Sequence, residues 1–333
     1  MKDRLLKWLR CPCCAARLEA RPTKIEQGEI KTGELCCCAC SKSFPVRAFI
    51  PRFVDDENYA RGFGFQWNLH ARTQIDRFNG TQISASRFYQ GTRWQPESLK
   101  GQRILEAGCG AGRFTDVMLD AGLEVFSLDY SNAVDACLKN HGLHPNLHII
   151  QADIYHIPYP IQSFDKVFCF GVLQHTPDVE RSFQCLSKFV RVGGEVAVDI
   201  YPKTLRARLH LPRYVLRPLA KRLPPDILYR IVKEAVRFLL PVSIFLKSIP
   251  LVGRYLYPLI PVANYWQDIP LDRSMLYEWA VIDTFDWLAS WYDQPQKAST
   301  LERWFAEGGF TDIDVRDLES FVGTGRKPQE PGN

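Results

Sequence analysis

The sequence predicts an α/β protein built on a doubly wound, mainly parallel, seven-stranded sheet. A small cysteine-rich module precedes the sheet, and a helical insertion interrupts it late in the chain. Three observations predict this. Between residues 103 and 200, five short apolar segments alternate with loop- or helix-like ones, and two more strand-like segments close the chain. The first of these strands runs into a glycine triplet, and the second ends in an acid. Seven of the eleven cysteines fall within the first 40 residues.

The chain has 333 residues, enough for one large domain with an added module or for two domains. Hydrophobic residues make up 46% and charged residues 24%, an ordinary globular balance that excludes a disordered chain. A net charge of +5 is too small to indicate a nucleic-acid binder. The opening MKDRLLKWLR is charged, and no run of 18 uncharged apolar residues occurs, so neither a signal peptide nor a spanning helix is expected. A cytoplasmic, reducing setting follows as the expectation. There, clustered cysteines bind metal more often than they form disulfides.

Residues 1–55 form the first unit. Cys11-Pro12-Cys13-Cys14 and Cys36-Cys37-Cys38-Ala39-Cys40 give two CxxC knuckles, separated by a stretch with hairpin-like alternation around Gly28 and Gly33. Two such knuckles close a tetrahedral thiolate site. Spacing alone leaves the ligand set open, since Cys13, Cys36 and Cys38 are spare. The flanks CPxCxxxL and LxCxxCxxxFPV, followed by Ile50-Pro51-Arg52-Phe53, resemble a bacterial zinc ribbon. That resemblance implies Cys11, Cys14, Cys37 and Cys40 as ligands of a structural zinc. Residues 56–100 follow as a linker or lid, with an aromatic run (Tyr59, Phe63, Phe65, Trp67) and a helix expected over 69–78.

Residues 101–202 carry the core. RILEAGCGAGRFT at 103–115 is a strand ending in Glu106, then Gly108, Gly110 and Gly112, then a helix from near Phe114. Glycines at this spacing let the backbone turn sharply and approach a ligand. The pattern is GxGxG and not the GxGxxG of dinucleotide binders. Leu123–Leu128 reads as the next strand, ending in Asp129-Tyr130-Ser131; an acid at this distance from the glycines suits ribose hydroxyls. Further strands at 147–150, 164–170 and 195–200 lead to Asp153-Ile154 and to Phe170-Gly171-Val172-Leu173-Gln174-His175. Residues 298–328 then supply a closing helix (299–306) and two last strands.

This succession resembles the class I S-adenosylmethionine-dependent methyltransferases, in particular their small-molecule, type 11-like branch. The ribbon resembles one found at the start of many bacterial members. The resemblance implies that Glu106 and the Gly108–Gly112 loop face the methionine part of S-adenosylmethionine. It implies that Asp129 takes the ribose, with Tyr130 beside the adenine. It also implies that Asp153 accepts from the adenine amino group, Ile154 packs on its ring, and Phe170-Gly171 line the pocket near the reacting methyl. His175 is the best-placed general base.

Residues 203–297 are the most individual part. The stretch 203–262 holds 12 lysines and arginines against 2 acids. Pro225–Leu240 reads as an amphipathic helix with Ile227, Leu228, Ile231, Val232, Ala235 and Val236 on one face. The insertion is expected to cap the substrate, with peripheral contact to the inner face of a membrane through 203–262 as one reading of its charge. The expected activity is methyl transfer to a small-molecule or glycan/lipid-linked acceptor. The alternatives are an RNA (rRNA) methyltransferase with an N-terminal zinc ribbon, which the charge distribution favours less, and a non-catalytic cofactor-binding partner protein.

Overall fold

The computed structural model describes residues 1–203 and 211–329. Residues 204–210, the start of the basic stretch, lie outside the described residues. In chain order the elements are α1 (Asp3–Trp8), β1 (Leu18–Glu26), β2 (Glu29–Cys37), β3 (Ser43–Arg47), β4 (Ile50–Pro51), α2 (Arg61–Leu69), α3 (Asp76–Asn79), α4 (Ile83–Thr92) and α5 (Pro96–Leu99). The core follows with β5 (Arg103–Ala107), α6 (Arg113–Asp120), β6 (Glu124–Asp129), α7 (Val134–His141), β7 (Leu147–Gln151), β8 (Phe164–Cys169), α8 (Val179–Ser187) and β9 (Val190–Ile200). The insertion holds α9 (Leu211–Ala220), α10 (Pro225–Ser248), α11 (Gly253–Leu256) and α12 (Arg273–Ala289). The chain closes with α13 (Ala298–Glu307), β10 (Thr311–Asp317) and β11 (Phe321–Arg326).

The large sheet has the order β10-β11-β9-β8-β5-β6-β7. Its β5, β6, β7, β8 and β9 run parallel, and β11 enters antiparallel between β9 and β10. This is the class I methyltransferase order. The chain reverses its direction of growth between β5 and β8, where ligands settle beyond the strand ends. Central strands are largely apolar because both faces are covered: Ile104, Leu105, Val125, Phe126, Val167 and Val198 are fully buried.

The four-stranded ribbon sheet β1-β2-β3-β4 docks on the free edge of this large sheet. Arg52 bridges to Gln151 of β7, and Phe53 N–H donates to the Gln151 carbonyl at 2.8 Å. The Arg52 guanidinium is buried, and it donates to Gln151 Oε1 (2.8 Å) and Asp135 (2.6 Å). Leu5, Leu9, Leu35 and Val46 of the ribbon belong to the same hydrophobic cluster as Leu105, Phe126 and Ile150 of the core. The ribbon and the large sheet therefore share a core.

Two elements differ from the sequence expectation. No helix runs over 69–78: α2 ends at Leu69, where that helix was expected to begin, and carries Phe63, Phe65 and Trp67 of the aromatic run, while a turn and the short α3 take the expected helix's place. Gly64 permits this placement, because any side chain there would meet Asn132 at the entrance of α7. In the insertion, α10 continues past Leu240 and through Pro241 to Ser248. Leu228, Val232, Val236, Leu240 and Ser243 are the buried residues of α10, which packs against α12, and Tyr229, Leu239 and Ile244 pack beside them half-buried. Ile227 and Ile231, expected on that same face, point to solvent.

Candidate active site

The glycine loop is fastened to the end of the neighbouring strand. Gly108 and Cys109 N–H both donate to the Leu128 carbonyl, at 2.7 and 3.0 Å. Gly110 N–H donates to Asp129 Oδ2 at 2.9 Å, while Asp129 Oδ1 takes the Ser131 N–H and hydroxyl. The loop turns with positive φ at Gly108 (79°) and Gly110 (52°). A Cβ on Gly108 would overlap Val172, and one on Gly110 would stand 3.3 Å from Trp67 Nε1. Glycine is required here by conformation and by space together.

A cavity of about 750 Å³ opens over this loop. It is floored by Ala107, Gly108 and Gly110, flanked by Leu128, Asp129, Tyr130 and Ile154, and reaches Phe170, Gly171 and His175 at the end of β8. Helix α2 roofs it with Phe63, Gln66 and Trp67. The roof is held to the core by Asn68, which donates to the Asn132 carbonyl (3.0 Å), and by Asn58, which donates to that of Tyr130 (3.1 Å). Tyr59 packs on Tyr130 with ring centroids 4.8 Å apart. The far wall comes from the insertion: Arg213 of α9, Tyr265, and Trp279, Asp283, Asp286 and Trp287 of α12.

Not every residue expected at the site reaches the cavity. Glu106 lies beneath the loop, where it accepts from Thr115 and Ser127 hydroxyls at 2.6 Å each. Burial pushes its carboxyl up to about 7. It supports the loop from below, because strand alternation turns its side chain away from the open end. Gly112 lies behind the wall, against His141 and Cys137. Asp153 turns to its own chain, accepting from Tyr155 N–H (3.0 Å) and pairing with the His156 ring (3.1 Å). Asp129, Tyr130, Ile154, Phe170, Gly171, His175, Gly108 and Gly110 do line the cavity.

The Gly171 turn is set by Asp199, a fully buried acid on β9. It accepts from Gly171 N–H (2.5 Å), Arg87 (2.7 Å) and the Ser320 hydroxyl (2.9 Å). His175 Nδ1 lies 3.0 Å from the Tyr292 carbonyl, which fixes Nδ1 as the protonated nitrogen. Nε2 is buried and has no hydrogen-bond partner among the described residues.

Sequence reasoning did not single out Arg87, Arg113, Asp283 or Asp286. A signal existed for the last two. On α12 they stand one turn apart among Trp279, Ala280, Ile282 and Phe285, acids where a packed helix would otherwise be apolar.

At the ribbon, Sγ atoms of Cys11, Cys14, Cys37 and Cys40 lie within 4.8 Å of one another. Cys37 Sγ accepts from the Ala39 and Cys40 N–H groups at 3.4 Å each. Those bonds, the Cys40 one first, draw its thiol down to about 6. A preformed thiolate in a four-sulfur cluster fits zinc, and four protein ligands leave no open position for chemistry. Cys13, Cys36 and Cys38 lie outside the cluster.

Residues 105–198 match the family model described as methyltransferase domain. The parallel core is thus a methyltransferase domain, the class that takes its methyl group from S-adenosylmethionine. An uncharacterized protein of Synechococcus sp. is 26% identical over 229 residues, covering 65% of this chain and 49% of that protein. A ubiquinone biosynthesis O-methyltransferase of Coxiella burnetii is 28% identical over 118 residues, covering 35% of this chain and 50% of that enzyme. The chain spans about half the length of these curated relatives. Among solved structures, phosphoethanolamine N-methyltransferase 2 of Haemonchus contortus shares 14% identity at a TM-score of 0.48, over 86% of this chain and 62% of that one.

Proposed function

We propose that the protein is an S-adenosylmethionine-dependent methyltransferase acting on an oxygen of a small-molecule or glycan/lipid-linked acceptor held under the insertion. The observation that carries this is one continuous cavity joining the glycine loop and Asp129 to the buried Nε2 of His175 and the wall of α12. Its size suits a nucleoside-bearing cofactor with an acceptor beside it. In this reading Asp129 keeps a lone pair on Oδ2 for a ribose hydroxyl, Tyr130, Tyr59 and Ile154 enclose the adenine, and Gly108 and Gly110 admit the methionine portion. When bound, the cofactor supplies a methyl group already activated by its sulfonium. The protein's part is to orient the acceptor, exclude water with the α2 roof, and take the acceptor proton at His175 Nε2. Calorimetry with S-adenosylhomocysteine and transfer of label from methyl-tritiated cofactor into a cell extract test this reading. Neither binding nor transfer by the intact chain would end it. His175→Ala should keep homocysteine-product affinity within about threefold and lower label transfer by roughly 10²-fold or more. Unchanged transfer would remove His175 from the reaction.

We infer further that the insertion rests on an anionic membrane surface. The supporting observation is the outward face of α10, where Ile227, Ile231, Phe238, Val242 and Phe245 recur at helical spacing. Phe238 and Phe245 are 68% and 67% exposed. Leu251 continues the patch at 88% exposure, and Arg230, Lys233, Arg237 and Arg254 stand exposed around it. Apolar side chains flanked by cations suit an interfacial helix better than a phosphate backbone, which asks for cations alone. Among the described residues no helix is long and apolar enough to cross a membrane. Arg213 and Arg217, two of the cations of the basic stretch, turn inward, where Arg217 pairs with Asp293 at 2.6 Å. Phe238→Ser/Phe245→Ser should lose at least about tenfold in co-sedimentation with phosphatidylglycerol vesicles, two buried phenyl rings contributing roughly 1.5–3 kcal/mol each. Equal sedimentation of variant and wild type would leave the patch without a membrane role.

A further inference from the structure

Besides the cofactor-side residues, the cavity holds an ordered group of charges for which the preceding reading assigns no use. Asp283 and Asp286 of α12 face it from the insertion, and Asp268 and Glu319 stand on its wall. Arg87 and Arg113 face it from the core side, and Arg213 from α9. The Tyr265 hydroxyl donates to Asp283 Oδ2. Arg113 donates to the Ser84 hydroxyl (3.0 Å) and to Gln74 Oε1 (3.2 Å), and lies 5.6 Å from the Trp279 ring centre. Arg213 lies 5.3 Å from that of Trp287. The buried Nε2 of His175, with no protein partner, is the independent sign that this wall awaits a ligand.

The chemistry of that ligand follows from the mixture. An anionic acceptor would meet carboxylates, and a cationic one would meet guanidinium groups. A hydroxyl both donates and accepts, so several hydroxyls on one ring can satisfy acids and arginines together. The indoles of Trp279 and Trp287 and the Tyr201 ring provide flat apolar faces for the ring itself. We propose that Asp283 and Asp286, with His175 and the two tryptophans, form an acceptor subsite for a polyhydroxylated, sugar-like ring. This rests on the methyltransferase reading and narrows its acceptor class.

The electrostatics agree. Burial pushes the Asp283 carboxyl up to about 7, with Asp286 raising it further and Tyr265, Arg113 and Arg87 opposing. Asp286 is likewise raised by burial and by Asp293, against His175, Ser290 and Arg217. A folded-state value above that of the unfolded chain means that stability falls as pH rises from about 4 to 7. Asp283 is therefore costly to the fold, as a residue kept for a ligand would be.

The test is saturation-transfer NMR on the full chain loaded with S-adenosylhomocysteine, using methyl glycosides and nucleotide sugars as probes and simple amines and carboxylates as controls. Glycoside or nucleotide-sugar signals should appear without those of the controls. Asp283→Asn and Asp286→Asn should weaken ring binding at least tenfold, with homocysteine-product affinity by calorimetry within threefold. Asp283→Asn should also melt no lower than wild type at pH 7.5, which a structural role would not allow. Trp279→Phe serves as the second variant, with a smaller loss. No ring binding by a protein that binds the homocysteine product, preference for the amines or carboxylates, or ring binding unchanged in all three variants would overturn the subsite. A protein that does not bind the product at all would instead overturn the methyltransferase reading.

Discussion

Asp129→Ala is expected to weaken S-adenosylhomocysteine binding by about 10- to 100-fold, since the ribose loses a charged acceptor and such a bond contributes roughly 1.5–3 kcal/mol. The same carboxylate holds Gly110 N–H at 2.9 Å and closes the Ser131 turn, so the variant also loosens the glycine loop. Asp129→Asn separates the two effects. It retains an oxygen and a similar shape, should keep the loop, and should lose only the charged part of the ribose interaction. Calorimetry on both variants, with melting curves to confirm folding, decides the matter. Wild-type affinity in Asp129→Ala would place the ribose elsewhere.

The second large effect concerns the ribbon. The purified chain should carry one zinc ion. Cys11→Ser or Cys40→Ser should release it, whereas Cys13→Ser should not, because Cys13 lies outside the four-sulfur cluster. Structural zinc is worth roughly 10 kcal/mol or more of apparent folding free energy in isolated ribbons. Here Leu5, Leu9 and Leu35 share a hydrophobic cluster with Phe126 and Ile150, so the loss should spread beyond the ribbon. The whole chain should melt in one transition lowered by roughly 20 °C or more, at about 2–4 °C per kcal/mol. Metal analysis with calorimetry reads this directly. A zinc-free wild-type protein, or zinc lost from Cys13→Ser, would refute the ligand set.

Much of the parallel core was legible because local signals and global order agree there. The glycine spacing and Asp129 at its strand tip each follow from backbone geometry, and each stands where the sheet needs it. The five parallel strands were readable for the same reason, both sheet faces being covered there and the strands largely apolar. Glu106 and Asp153 show the limit. The sequence puts an acid at a strand end, but whether its carboxylate faces the cavity depends on strand alternation and on the partner that captures it: Thr115 and Ser127, from the next helix and strand, for Glu106, and the nearby His156 for Asp153. The insertion was least legible. Its amphipathic pattern has two apolar faces, one against α12 and one outward, and a single helical projection cannot say which is which. Nor does residue spacing show that Asp283 and Asp286 look toward His175, because a long connection separates α12 from β8.

The seam between Arg52 and Gln151 also bears on the order in which the chain is made. During synthesis the ribbon leaves the ribosome about a hundred residues ahead of β7, the strand it will cover. Closed on its metal, it can stand folded while β5 and β6 are still being added. When β7 arrives, Arg52 and Phe53 already present a rigid border that fixes where the outermost strand must lie. Without that border, β7 would be an exposed strand edge open to pairing with other chains. A chain lacking its first 55 residues should therefore fail by aggregating in the cell, even though the cavity and its glycine loop are encoded entirely downstream.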